Sequence, residues 1–200
     1  MKSGRRSKRQ GRGGLRIIGG EWRGRRLPVT ERPGLRPTAD RVRETLFNWL
    51  QGTIADARCL DLFAGSGALG LEALSRGARE CVFVDHDRRA AGALRDRLRD
   101  LAAGDRARCL QSTAARFLAG EHAAFDIIFL DPPFAADLLP ATCASLDASG
   151  LCHPETLIYV ETDAPAPGRL LPASWHAYRE ASGGAVRFGL YRQAPFVGPR

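Results

Sequence analysis

The stretch Asp61-Leu62-Phe63-Ala64-Gly65-Ser66-Gly67-Ala68-Leu69-Gly70 constrains the fold of this chain more than any other. It closes an apolar run and opens a helical one, and Gly65, Gly67 and Gly70 satisfy G-x-G-x-x-G. Such glycines permit a tight turn, a close backbone approach to a ligand and close packing of helix on strand. Beyond it, short apolar runs alternate with helical patterns. Strands are predicted at Cys59 to Phe63, Cys81 to Val84, Ala107 to Leu110, Phe125 to Leu130 and Thr156 to Val160; helices are predicted at Leu69 to Arg76, Arg88 to Ala103, Ala114 to Ala119 and Asp137 to Ala148. That rhythm predicts an α/β, doubly wound, Rossmann-like fold with a mostly parallel sheet. The end departs from it, because Trp175 to Ala181, Gly183-Gly184 and Val186 to Arg192 read as an antiparallel hairpin completing a seven-stranded sheet.

Asp85 ends the next predicted strand, where a carboxylate accepts hydrogen bonds from ribose hydroxyls, so a nucleoside cofactor is expected. A dinucleotide would bring pyrophosphate to the helix start, beside which Asp61 is a poor neighbour. S-adenosylmethionine (AdoMet) brings an ammonium instead, which Asp61 suits. His86 and Asp87 read as a helix cap.

The buried pattern Phe125 to Leu130 runs straight into Asp131-Pro132-Pro133-Phe134. This puts Asp131 at the carboxyl edge of the sheet, where ligands of such folds bind. Two prolines fix the backbone and leave the Pro132 carbonyl as an acceptor beside the Phe134 ring. Acceptors at Asp131 and Pro132 with stacking on Phe134 suit a planar exocyclic amine. That nitrogen is conjugated and weakly nucleophilic, so aiming its lone pair at an activated methyl is what such a site contributes.

Of the formal charge of +8, residues 1 to 50 carry +10, with 14 basic and 4 acidic side chains, and the remainder carries −2. Segregation of this kind is a footprint for a polyanion. Met1 to Gly14 reads as a flexible basic arm. Leu15 to Ile18 and Glu21 to Leu27 read as two strands around the Gly19-Gly20 turn, followed by a helix from Ala39 to Leu50 with Thr38 as its cap. Residues 15–50 are therefore expected to form a basic extension on a domain spanning 51–200. Arg16, Arg23, Arg25, Arg26, Arg36 and Arg43 are its candidate phosphate contacts, while Trp22 suits either a core or a stacking role.

Five cysteines form no C-x-x-C pair and the four histidines lack metal-ligand spacing, so neither a disulfide framework nor a metal is expected. No apolar run of membrane-spanning length exists, and the basic start is not followed by a signal-like core. A soluble, cytoplasmic protein is expected, a monomer by default.

Together with Leu15-Arg16-Ile17-Ile18-Gly19-Gly20, Trp22-Arg23-Gly24-Arg25, Gly34-Leu35-Arg36-Pro37-Thr38 and Asp40-Arg41-Val42-Arg43-Glu44, the glycine loop and D-P-P-F motif resemble the RsmD family of bacterial small-subunit ribosomal RNA (guanine-N2)-methyltransferases, of the class I AdoMet-dependent type, from about Leu15 to Arg192. The resemblance implies AdoMet held by the loop that runs through Asp61, Phe63, Ala64, Gly65, Ser66 and Gly67, and by Asp85. It also implies guanine presented to Asp131 and Phe134, on a partly assembled small subunit. One departure stands out: this class often places Asp or Asn after the third strand to meet adenine, and here Ser112-Thr113-Ala114 fills the slot, so Thr113 becomes the candidate. Competing expectations are adenine-N6 or cytosine-N4 methylation of DNA, a non-catalytic ribosome-assembly protein, and a nicotinamide-dependent oxidoreductase.

Overall fold

The computed structural model describes residues 14–28, 40–133, 138–163, 168 and 170–194. Its centre is a seven-stranded sheet built from β3 (Arg58–Asp61), β4 (Glu80–Asp85), β5 (Ala107–Gln111), β6 (Phe125–Leu130), β7 (Cys152–Thr162), β8 (Trp175–Gly183) and β9 (Val186–Gln193). The strand order is β5-β4-β3-β6-β7-β9-β8, parallel from β5 to β7, with β9 antiparallel to both β7 and β8. Strands buried on both faces need continuous apolar runs, which Glu80–Asp85 and Phe125–Leu130 supply. Side chains alternate between two core layers. Cys59, Phe83, Ile127, Phe129 and Tyr159 lie in one, and Leu60, Val82, Val84, Ile128 and Val160 in the other.

Connecting helices are α2 (Ala68–Ser75), α3 (Arg88–Asp100), α4 (Ala114–Leu118) and α5 (Leu139–Asp147), preceded by α1 (Asp40–Trp49). Asp87 caps α3 by accepting from the N–H groups of Arg89 and Ala90. That helix stops at Asp100, short of the expected Ala103, because Ala102 turns to φ 50°. β7 is longer than its apolar heart, since Cys152 already pairs with Phe125 and the ladder slips before Leu157 resumes it. The His153-Pro154-Glu155 run inside that slip reads as loop in sequence.

The amino-terminal hairpin is shorter than expected. β1 (Gly14–Arg16) pairs with β2 (Arg26–Pro28), Leu15 opposite Leu27. Two donors of the segment between them go to α2: Glu21 N–H to the Ser75 carbonyl (2.6 Å) and Trp22 N–H to Ser75 Oγ (2.9 Å). Gly20, at φ 77°, passes so close that a Cβ there would sit 1.7 Å from the Ser75 carbonyl oxygen. α2 is buried on every side, because the sheet takes one face and this extension the other. Leu15, Ile17, Trp22, Leu27, Val42, Leu46, Phe47 and Leu50 accordingly share one core layer with the sheet, and Trp22 is a core residue. Among the described residues no helix is long and apolar enough to cross a membrane.

Candidate active site

Strand order reverses at β3, which has β4 on one side and β6 on the other. A crevice forms outside the carboxyl ends of strands at such a point, and ligands of open α/β sheets bind there. Asp61 ends β3, Asp85 ends β4 and Asp131 follows β6, so the three acids predicted from sequence stand at the carboxyl ends of three neighbouring strands.

The glycine loop explains itself residue by residue. Gly65 and Gly67 have φ values of 51° and 80°, which side chains with a Cβ rarely adopt. The Ala64 N–H reaches the Val84 carbonyl (2.9 Å) and the Gly67 N–H the Ala64 carbonyl (2.6 Å), pinning the turn to β4. Gly70 lies 2.2 Å, measured from its missing Cβ, from the Phe83 ring, so only hydrogen lets α2 approach the sheet.

Asp85 accepts from the Gly65 N–H on Oδ2 and the Asp87 N–H on Oδ1, both at 2.7 Å. Two bonds leave a carboxylate with further lone pairs, available to a vicinal diol. Asp61 is 2% exposed and accepts from the Gly70 N–H (3.0 Å). Burial pushes its carboxyl up from 3.8 to about 7, the Gly70 bond opposes this, and the Asp85 charge adds to it. A cation paired with Asp61 would favour its ionised form. Thr113 is exposed, and its hydroxyl oxygen caps α4 by accepting from the Arg116 N–H (3.2 Å).

Pro132 is buried directly after Asp131, while Phe134 lies outside the described residues. Beside Asp131, Tyr159 donates its hydroxyl to Glu161 Oε2 at 2.8 Å inside the protein. Sequence reasoning missed this pair, for which a glutamate closing an apolar strand was the available signal. All five cysteines are free. Burial raises the thiols of Cys143 and Cys152 to about 12, and holds those of Cys59 and Cys81 well above their usual value, so none is a ready thiolate. Among the described residues no cluster of three or more His, Cys, Asp or Glu stands ready for a metal ion.

Arg16, Arg23, Arg25 and Arg26 are exposed on the extension; Arg36 lies outside the described residues. Arg43 corrects the expectation. Only 1% exposed, it donates to the Arg16 carbonyl (2.9 Å) and Asp40 (2.7 Å) and stands 3.8 Å from Glu72, so it fastens the extension and is not open to phosphate. Glu72, fully buried, accepts from the N–H groups of Ile18 and Gly19 (2.8 Å each) and from Arg76 (2.7 Å). Its signal in sequence was a lone acid in the otherwise apolar helix Ala68–Ser75. Arg97 makes a second tie, with Nε and Nη2 on the Pro28 carbonyl (3.0 and 2.8 Å) and Nη1 on the Ser66 carbonyl (3.3 Å). One guanidinium thus spans the end of β2 and the glycine loop.

The chain matches the family described as Conserved hypothetical protein 95 over residues 15–192. It is 50% identical over 183 residues to ribosomal RNA small subunit methyltransferase D of Escherichia coli strain K12, covering 92% of each chain. The solved structure of the Escherichia coli protein yhhF superposes with a TM-score of 0.82 at 47% identity, covering 91% of this chain and 99% of that one. A Podospora anserina methyltransferase with bound SAH shares the fold, with a TM-score of 0.64 at 15% identity over 79% of this chain and 80% of its own.

Proposed function

The chain belongs to the Conserved hypothetical protein 95 family, and from that premise we propose that it methylates small-subunit ribosomal RNA, placing an AdoMet methyl group on the exocyclic N2 amine of a guanine. The reading rests on one observation: Asp61, Asp85 and Asp131 stand at the carboxyl ends of the three neighbouring strands where the strand order reverses, with Pro132 buried after the last of them. AdoMet, when bound, supplies an electrophilic sulfonium methyl. Asp61 would hold its ammonium, Asp85 its ribose hydroxyls, and the backbone from Phe63 through Ala64, Gly65, Ser66 and Gly67 would follow its length, with Thr113 at the adenine end. Asp131 and the Pro132 carbonyl would each accept one hydrogen of the guanine amine. That arrangement turns the nitrogen lone pair toward the methyl group and stabilises the positive charge that grows on nitrogen. Asp131 is then placed to take the proton which the methylated amine sheds, and Phe134 would stack on the base.

Residues 15–50 would act as the RNA-binding extension, working as part of a cytoplasmic monomer on an assembling subunit. Mass spectrometry of nucleosides tests the whole reading. After incubation with AdoMet, undermethylated small subunits should gain N2-methylguanosine, whereas N6-methyladenine or N4-methylcytosine in a DNA control would overturn it.

Two further outcomes follow from the same residues. Because Asp61 has a raised pKa, the contribution of this group to stability declines as pH climbs from about 4 to about 7, where the native state holds a proton that the unfolded chain has lost. Ligand binding runs the other way, since an ammonium pairs with the ionised form. AdoMet affinity by calorimetry should therefore rise about five-fold from pH 6 to pH 7, and Asp61→Asn should flatten that rise. Second, Arg16, Arg23, Arg25 and Arg26 are exposed together on the extension. If each neutralises a phosphate, replacing all four by Gln should reduce the slope of log affinity against log salt by about 3. An unchanged slope in filter binding would remove them from the interface.

A further inference from the structure

Arg97, on α3, joins two parts of the protein that have different proposed tasks. It is 7% exposed. Its hydrogen bonds among the described residues go to backbone carbonyls, two to Pro28 at the end of β2 and one to Ser66 in the glycine loop. A buried guanidinium holds such acceptors strongly, because letting one go leaves a charged donor unsatisfied away from water.

Ser66 lies between Gly65 and Gly67, at φ 51° and 80°. Glycine has more conformational freedom than any other residue, so the shape of this loop depends on what holds it. On the strand side the Gly65 N–H bonds to Asp85 and the Ala64 N–H to the Val84 carbonyl. On the helix side α3 supplies Leu94, whose Cδ1 would lie 2.5 Å from a Cβ on Gly67, and one turn later Arg97. The other partner, Pro28, shares the exposed side of β2 with Arg26. Arg26 faces Arg16 directly across the ladder. Like charges so placed repel, and a phosphate beside them removes that cost. Binding an anion there therefore steadies the strand whose last carbonyl Arg97 holds.

We infer that Arg97 is a positioning residue coupling the cofactor loop to RNA: phosphate held at Arg16 and Arg26 steadies Pro28, and Arg97 passes that constraint to the Ser66 carbonyl. AdoMet then meets a loop already shaped for it. This rests on the reading of the preceding section, in which the extension binds RNA and the loop binds AdoMet. Each ligand strengthens the binding of the other by the same factor, as linkage requires. The device needs a planar fork that reaches two carbonyls at once, which a lysine ammonium does not offer.

The test uses S-adenosylhomocysteine, the product left when AdoMet gives up its methyl group, which occupies the site without turnover. Its affinity for the full chain is measured by equilibrium dialysis, alone and with saturating undermethylated small subunits. Subunits should tighten its binding to the wild type by about five-fold or more. Arg97→Gln and Arg97→Lys should each bring that factor below about two-fold. So should Arg16→Gln combined with Arg26→Gln, which alters exposed positions alone. The factor is a ratio within one protein, so a general loss of stability does not move it. A wild type that methylates the particles yet binds S-adenosylhomocysteine equally with and without them overturns the inference and leaves the preceding reading standing. Full tightening in an Arg97 variant, or in the Arg16 and Arg26 variant, overturns it as well. If the wild type leaves guanine unmethylated in these particles, the reading of the preceding section fails, and this one with it.

Discussion

Asp131→Ala should lower the single-turnover rate of methyl transfer to undermethylated subunits by about 10²- to 10³-fold, while AdoMet affinity stays within about three-fold of wild type. Asp131 follows β6, whereas the residues proposed to hold AdoMet come from β3, β4, the loop between β3 and α2, and Thr113 after β5. On the proposed reading, truncation removes an acceptor from the reacting amine and leaves the cofactor's own contacts standing. The loss should fall on kcat, because the carboxylate matters most when positive charge develops on nitrogen. Asp131→Asn keeps one acceptor oxygen and should lose less, about ten-fold. Wild-type transfer by the alanine variant would mean that this edge does not touch the amine.

Glu72→Ala should lower the melting temperature by on the order of 10 °C. Glu72 is fully buried and bonded to Ile18, Gly19 and Arg76, with Arg43 at 3.8 Å. Removing one member of a buried charged group costs about 3–5 kcal/mol, because the partners stay behind unpaired. In a chain of this size each kcal/mol shifts the midpoint by roughly 2–4 °C. Arg43 would be left worst off: its Nε and Nη1 already lack a hydrogen-bond partner among the described residues, so it has little to fall back on. Calorimetry measures the shift. RNA affinity should drop with it, since the extension loses its anchor, and a melting point within 2 °C of wild type would show that packing alone seats the extension.

What the sequence made legible follows from the range of the interactions involved. Phe125–Leu130 and Glu80–Asp85 announce buried strands through their own composition, and the glycine loop announces its turn through φ requirements local to Gly65 and Gly67. Asp61, Asp85 and Asp131 could be placed at neighbouring strand ends because the topology of such a sheet fixes which strands lie side by side. Glu72 and Arg97 were missed because their partners lie 54 and 69 residues away, at Ile18 and Pro28. Arg43 was misread for a related reason: a guanidinium suits a phosphate and a carboxylate equally, and only its burial tells them apart. The short hairpin strands were overcalled at Glu21 and Trp22, whose N–H groups go to Ser75 and not to a neighbouring strand.

The extension and the sheet share one apolar layer, through Leu15, Ile17, Trp22, Leu46, Phe47 and Leu50. A shortened chain beginning near residue 51 would bare that layer to water and clump in solution before it could be assayed. The two portions are interlocked like a lid cut for one box, and any variant of the extension has to leave that joint intact.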